Sequence, residues 1–170
     1  MAIGVILTEI HNRLLGFDSL GNLALNTSGI TSGNTGQTPY LIGKNIPSQI
    51  AISAAKGASA NICNVTFQVQ DCFGNNLSGN FTFDALLSDS STGFGLTATT
   101  PSGGIAAASS GGAILGVDTT SKAVLAQTNS SGAFILAITD TSKTGFYPVA
   151  SGFNQFPAFV GAQLVSANYD

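Results

Sequence analysis

Charge is what this sequence has least of. Lys, Arg, Asp and Glu make up 8% of its 170 residues, against about 25% in an average globular domain. The five basic residues, Arg13, Lys44, Lys56, Lys122 and Lys143, are scattered along the chain. They cannot form the basic stripe that nucleic-acid binding needs, so no nucleic-acid partner is expected. There is no tryptophan and one histidine, His11. No other side chain titrates near neutrality without a large shift, so a Ser-His-Asp or Cys-His unit, and any hydrolase built on one, would have to use His11. His11 reads instead as an exposed polar residue beside an apolar stripe. No run of about 18 apolar residues exists, so no membrane-spanning helix and no membrane partner are expected. The first apolar run, residues 2–7, is short for a secretory signal and lacks a basic region before it.

Cysteine is scarce too. Cys63 and Cys72 flank one extended segment and should lie roughly 30 Å apart at about 3.3 Å per residue. A disulfide allows about 7 Å. Both therefore read as free thiols of a protein made in a reducing compartment. One histidine and two cysteines lack the fourth ligand and the close spacing of a zinc site. The eight acids are Glu9, Asp18, Asp71, Asp84, Asp89, Asp118, Asp140 and Asp170. They sit mostly beside Gly, Asn and Ser, as aspartates do in turns. No D-x-D-x-D-G loop and no G-x-x-x-x-G-K-[ST] phosphate cradle is present. The catalytic inventory is close to empty, and neither enzymatic activity, a metal nor a cofactor is expected.

What is present is β pattern. An apolar fraction of 44% suffices for a core, and the length suits one domain plus an extra segment. Residues 65–87 organise the chain. Val65, Phe67 and Val69 alternate with Thr66, Gln68 and Gln70, leaving one apolar and one polar face. A cluster of Gly, Asn and Ser from Gly74 to Asn80 reads as a turn. Alternation resumes with Phe81, Phe83, Ala85 and Leu87. The stretch reads as a strand, a turn and a strand, a central hairpin, with Phe67, Val69, Phe81, Phe83, Leu136 and Ile138 in the core. Further short strands are expected at residues 40–43, 49–52, 123–128, 133–140, 146–150, 159–160 and 163–167. Residue 133–140 is almost continuously apolar, which predicts burial on both faces or at a subunit contact. Residues 97–122 are mostly Ala, Gly, Ser and Thr and read as weak strands, with Ile105, Ala107 and Ile114 inward, or as a meandering loop. About eight to ten short strands separated by turns is the pattern of a sandwich.

The first residues differ from the rest. Ile3, Leu7, Ile10, Leu14 and Phe17 recur at steps of four and three, a short heptad stripe, although Gly4 weakens a helix there. Two heptads are marginal alone in water, so the stripe needs a surface. Residues 1–25 are expected to be an arm, 26–39 an uncharged linker and 40–170 the globular body. The arm's partner would be its own copies, a trimer being favoured, or a groove on another protein; alternatively it folds back onto its own body.

Residues 65–79, V-T-F-Q-V-Q-D-C-F-G-N-N-L-S-G, resemble the opening of bacterial Ig-like domains of the invasin and intimin type. Those carry an alternating strand, then Asp-x-x-Gly-Asn-x-x-x-Gly, then a second strand. Residues 128–138 resemble their later Thr-x-x-x-Gly turn and strand, and Gly145-Phe146-Tyr147 their Gly and aromatic-bearing strand. The likeness covers roughly residues 61–150. Residues 97–122 depart from it, being longer and richer in small residues than that family's middle strands. An Ig-like body, a small-residue stretch and a short apolar arm together are similar to head decoration (cement) and head fibre proteins of tailed bacteriophages. The resemblance implies an all-β, Ig-like sandwich and a non-enzymatic virion protein, made in the host cytoplasm and located on the capsid surface. It implies the major capsid protein and further copies of the chain as partners; by the heptad spacing, Ile3, Leu7, Ile10, Leu14 and Phe17 would make the contact. The alternative it leaves is an adhesion or carbohydrate-binding module of a bacterial surface protein.

Overall fold

A computed structural model describes residues 15–17, 23–25, 46–152 and 158–170. The chain divides into two compact units, Met1–Ile42 and Gly43–Asp170.

In the first unit, β1 (Leu15–Phe17) pairs antiparallel with β2 (Leu23–Leu25), Leu15 opposite Leu25 and Phe17 opposite Leu23. This corrects the helical reading at the end of the heptad stripe. Phe17 lies on extended backbone, and Gly16 beside it favours a strand pair over a helical turn that Gly would weaken.

The second unit is an all-β sandwich. Its strands are β3 (Gln49–Lys56), β4 (Ile62–Gln70), β5 (Thr82–Ser88), β6 (Gly104–Ala107), β7 (Ala113–Thr119), β8 (Ala123–Gln127), β9 (Ala133–Thr139), β10 (Tyr147–Ser151) and β11 (Phe159–Val160). One sheet has the order β3-β4-β9-β6 and the other β11-β10-β5-β8-β7, with antiparallel pairing throughout. With the β7–β8 hairpin set aside, this is the ABED and GFC arrangement of a constant-type Ig domain. The hairpin extends the second sheet beyond its C strand. It begins in the small-residue stretch, where weak strands or a loop were both open; β6 and β7 form there, and Ile105, Ala107 and Ile114 pack against the core.

Alternation sets the core. β4 buries Cys63, Val65, Phe67 and Val69 while the residues between them stay half-exposed. Phe83, Ala85 and Leu87 on β5, Val124 and Ala126 on β8, and Phe134, Leu136 and Ile138 on β9 pack against them, and Ile50, Leu77, Phe146, Ala150, Leu164 and Tyr169 close the core around them. The rings of Phe67, Phe83 and Phe134 meet at its centre with centroids 5.7–6.1 Å apart.

Three expectations are corrected here. β4 and β5 do not form a hairpin: they lie in different sheets, and residues 71–81 cross between them. Their apolar faces meet across the core instead of lying side by side, as the Phe67–Phe83 contact shows. Phe81 is half-buried at the rim of the core, because it precedes β5 on the crossing segment. The expected last strand at 163–167 is instead a 3-10 turn, Ser166–Asn168. Leu164 and Tyr169 are the residues that plug the core there, and Val165, Ser166 and Ala167 between them are all exposed, so the alternation a strand requires fails. The 133–140 strand is fully buried on one face only. Its outer-face residues are half-buried, and residues 108–111 run beside it, the Ala108 N–H donating to the Ile135 carbonyl. The expected strand at 40–43 lies outside the described residues.

Candidate interaction sites

Of the arm residues singled out by the heptad spacing, Ile3, Leu7, Ile10 and Leu14 lie outside the described residues, as do His11, Glu9 and Asp18. Phe17 is on β1, in the unit that precedes the sandwich.

Three of the six aspartates of the sandwich, Asp71, Asp89 and Asp140, are committed to backbone. Asp71 is fully buried, and its carboxylate accepts from the Phe73 and Asn75 N–H groups and from the Asn75 amide. This closes the turn after β4, where Gly74 takes a φ of +81°. Asp140 ties the turn after β9 to the one before β6, accepting from the N–H groups of Ser102, Ser142 and Thr144. Burial pushes its carboxyl up, but those donors outweigh it and hold it below the usual range. Asp89 accepts from the Thr97 hydroxyl at 2.6 Å and the Ala98 N–H at 2.8 Å, and these bonds lower its pKa. Lys122 donates to the carbonyls of Thr97 and Ala98, pinning the same loop from the other side. Asp170 lies 3.9 Å from Lys56. Among the described residues, no group of three His, Cys, Asp or Glu side chains could hold a metal.

Cys63 is buried in the core, and burial pushes its thiol up to about 11. Cys72 is exposed on the turn after β4. The two do not pair with each other, as their separation along the strand requires.

The two segments that carry the family resemblance are docked on each other. Thr128 is buried, and its hydroxyl donates to the Gly79 carbonyl and accepts from the Phe81 N–H, each at 2.8 Å. The Gly79 N–H donates to the Ser130 carbonyl, and the Val69 N–H to that of Gly132. Gly132 takes a φ of +78°, and a Cβ there would stand 1.8 Å from the Leu77 carbonyl oxygen. The Gln68 amide nitrogen lies within 3.3 Å of the carbonyls of Val69, Leu77, Ser131 and Gly132. The Thr-x-x-x-Gly and Asp-x-x-Gly-Asn-x-x-x-Gly motifs are thus two halves of one clasp holding the sheets together at one end. Their role is structural.

The surface is where chemistry remains. Exposed apolar side chains occur at Ile46, Phe73, Phe94, Leu96, Leu115, Val117 and Val165. Leu115 and Val117 lie on β7, an edge of the five-stranded sheet. The sequence carried a signal for this pair, a strand apolar on both faces, but small neighbours masked it. A cleft of about 170 Å³ opens at the opposite edge, beside Ile52, Ser53 and Ala54 of β3 and flanked by Pro148, Gln163 and Asn168. Among the described residues no helix is long and apolar enough to cross a membrane. No family model, no curated protein and no solved structure matches the chain.

Proposed function

We propose that the chain is a non-enzymatic structural protein of a tailed-bacteriophage virion, a head decoration (cement) or head fibre protein that binds the major capsid protein. The observation that carries this reading is how the sandwich uses its polar chemistry. The buried carboxylates of Asp71 and Asp140 accept from backbone N–H groups at turns, and the resemblance motifs form a clasp. Such chemistry builds a rigid displayed body and leaves recognition to its surface and to the segment ahead of it. The scarcity of charge and the exposed apolar side chains support a body whose contacts are made with protein. On this reading Ile3, Leu7, Ile10, Leu14 and Phe17 are the contact residues toward the capsid or toward further copies of the chain, with a trimer favoured.

The test is direct. Mass spectrometry of gradient-purified phage particles should find the chain at a high and fixed copy number. The recombinant full chain should co-sediment with capsids stripped of their accessory proteins. Absence from particles, together with no co-sedimentation, overturns the reading. Retention on a glycan array with no affinity for capsids would turn it to an adhesion module.

A further inference from the structure

The two sheets of the sandwich present four edge strands, and three of them are blunted. β11 has two residues and β6 has four. β7 carries two register shifts, between Ile114 and Gly116 and between Val117 and Thr119. Shortness and bulges are the devices that keep an edge from pairing with another chain. β3 has neither. It runs for eight residues, and all eight pair with β4 without a shift. It holds no proline, and its one charge is Lys56 at the very end. Among the described residues, no strand pairs with its other side.

The unpaired side has a defined face. The Gly57 N–H donates to the Ile62 carbonyl, which places Gly57 in a hydrogen-bonded pair and fixes the alternation upstream. The N–H and C=O groups of Ile50, Ile52, Ala54 and Lys56 therefore point away from β4. The side chains that accompany them on the outer face of the sheet, Ala51, Ser53 and Ala55, are small and exposed. A cleft runs beside the middle of the edge, at Ile52, Ser53 and Ala54, with Pro148, Ala162, Gln163 and Asn168 on its other side.

We propose that two copies of this chain pair β3 against β3, antiparallel about Ser53, joining their four-stranded sheets into one eight-stranded sheet across a two-fold axis. The occupant is a second copy because the strand is its own complement. In this register Ile52 exchanges N–H···O bonds with Ala54 of the second copy, and Ile50 with Lys56 of the second copy. Each outward donor meets an acceptor. The single charge faces an isoleucine, never its like, and small side chains let the sheets approach. Ser53 lies opposite itself. The contact uses the sandwich alone, so it stands or falls separately from the capsid reading.

The experiment compares the full chain with Ser53→Lys, Ser53→Glu and a 1:1 mixture of the two variants. Light scattering after size exclusion is run over a range of concentrations, and amide exchange is followed at Ile52 and Ala54. Each variant places like charges directly opposite across the axis, which is destabilising. The wild-type assembly should have twice the mass of either variant alone, and the mixture should regain the wild-type mass by pairing Lys with Glu. The Ile52 and Ala54 amides should be protected in the wild type and the mixture, and exchange at least about tenfold faster in each variant alone, since 1.4 kcal/mol of lost pairing is a factor of ten. Equal masses for wild type and variants at every concentration overturn the proposal, as does a mixture that fails to reassociate. If masses are equal and the two amides are protected in all samples, the edge is covered by another part of the same chain.

Discussion

Replacing Thr128 by valine removes one oxygen and keeps the shape of the side chain, which isolates what the clasp contributes. The hydroxyl serves two backbone groups at once, the Gly79 carbonyl and the Phe81 N–H, each at 2.8 Å. Thr128 itself is 2% exposed, so water reaches the vacated position poorly. An unsatisfied buried donor or acceptor costs about 1–3 kcal/mol. Gly79 and Phe81 are half-buried, which relieves part of this for each. The expected loss is about 2–4 kcal/mol, a large share of the ~5–15 kcal/mol that holds a domain together. Thr128→Ser keeps the hydroxyl and deletes a methyl, worth about 1 kcal/mol. Urea unfolding of the full chain at neutral pH, followed by far-UV circular dichroism, reads both. With a slope of about 1.5 kcal/mol per molar, the valine midpoint should fall by about 1.3–2.7 M and the serine midpoint by less than about 1 M. If serine costs as much as valine, packing of the methyl dominates and the clasp argument is wrong.

Four further outcomes are expected. Phe83→Ala should cost about 3–5 kcal/mol in the same assay, because the ring is 2% exposed and packs on Phe67 and Phe134. Gly132→Ala should cost well over the ~1–2 kcal/mol of a left-handed residue, since its Cβ also collides with the Leu77 carbonyl; Gly74→Ala, whose Cβ would meet nothing within 4 Å, should cost that strain alone. Native protein should titrate one thiol with a chromogenic disulfide reagent, Cys72, and release Cys63 only on unfolding, because burial pushes the Cys63 thiol up to about 11. Asp89 and Asp140 are lower in the folded than in the unfolded chain, so their contribution is present above their unfolded pKa of about 3.9 and is lost as pH falls through their folded values. Stability should therefore drop below about pH 4, and Asp140→Asn should flatten that drop.

Alternation along a strand reports which side faces the core, and that much was readable: Phe67, Val69, Phe83, Leu136 and Ile138 are all buried as their spacing implied. It does not report which strand lies alongside. The 65–87 stretch therefore looked like a hairpin when its halves belong to opposite sheets. The Asp71 turn was legible because its donors are two and four residues away. Asp140 was legible only as a turn residue, since its bond to the Ser102 N–H spans 38 positions. β6 and β7 were ambiguous because Ala, Gly and Ser carry little propensity of their own and become strands by pairing with β9 and β8. For the candidate contact, spacing in steps of three and four suggested a helix, yet at Phe17 the backbone is extended. The open edge of β3 could not be seen at all, because being an edge is a property of sheet order and not of any residue.

The two ends of the sandwich also set how it bears a load. The chain enters β3 beside the end of β4, where the Ser48 N–H donates to the Gln70 carbonyl. Asp170 is tied to the far end of β4, its carbonyl accepting from Asn61 and its N–H donating to Ile62. Tension between the segment ahead of β3 and Asp170 thus runs along the strand axis. Drawn along that axis, β3 leaves by sliding along β4, with the hydrogen bonds of every second registered pair strained together instead of opening one after another. Lying perpendicular to the strands, those bonds meet the pull in shear, and a body strung this way resists being drawn out far better than one whose end strand could be peeled.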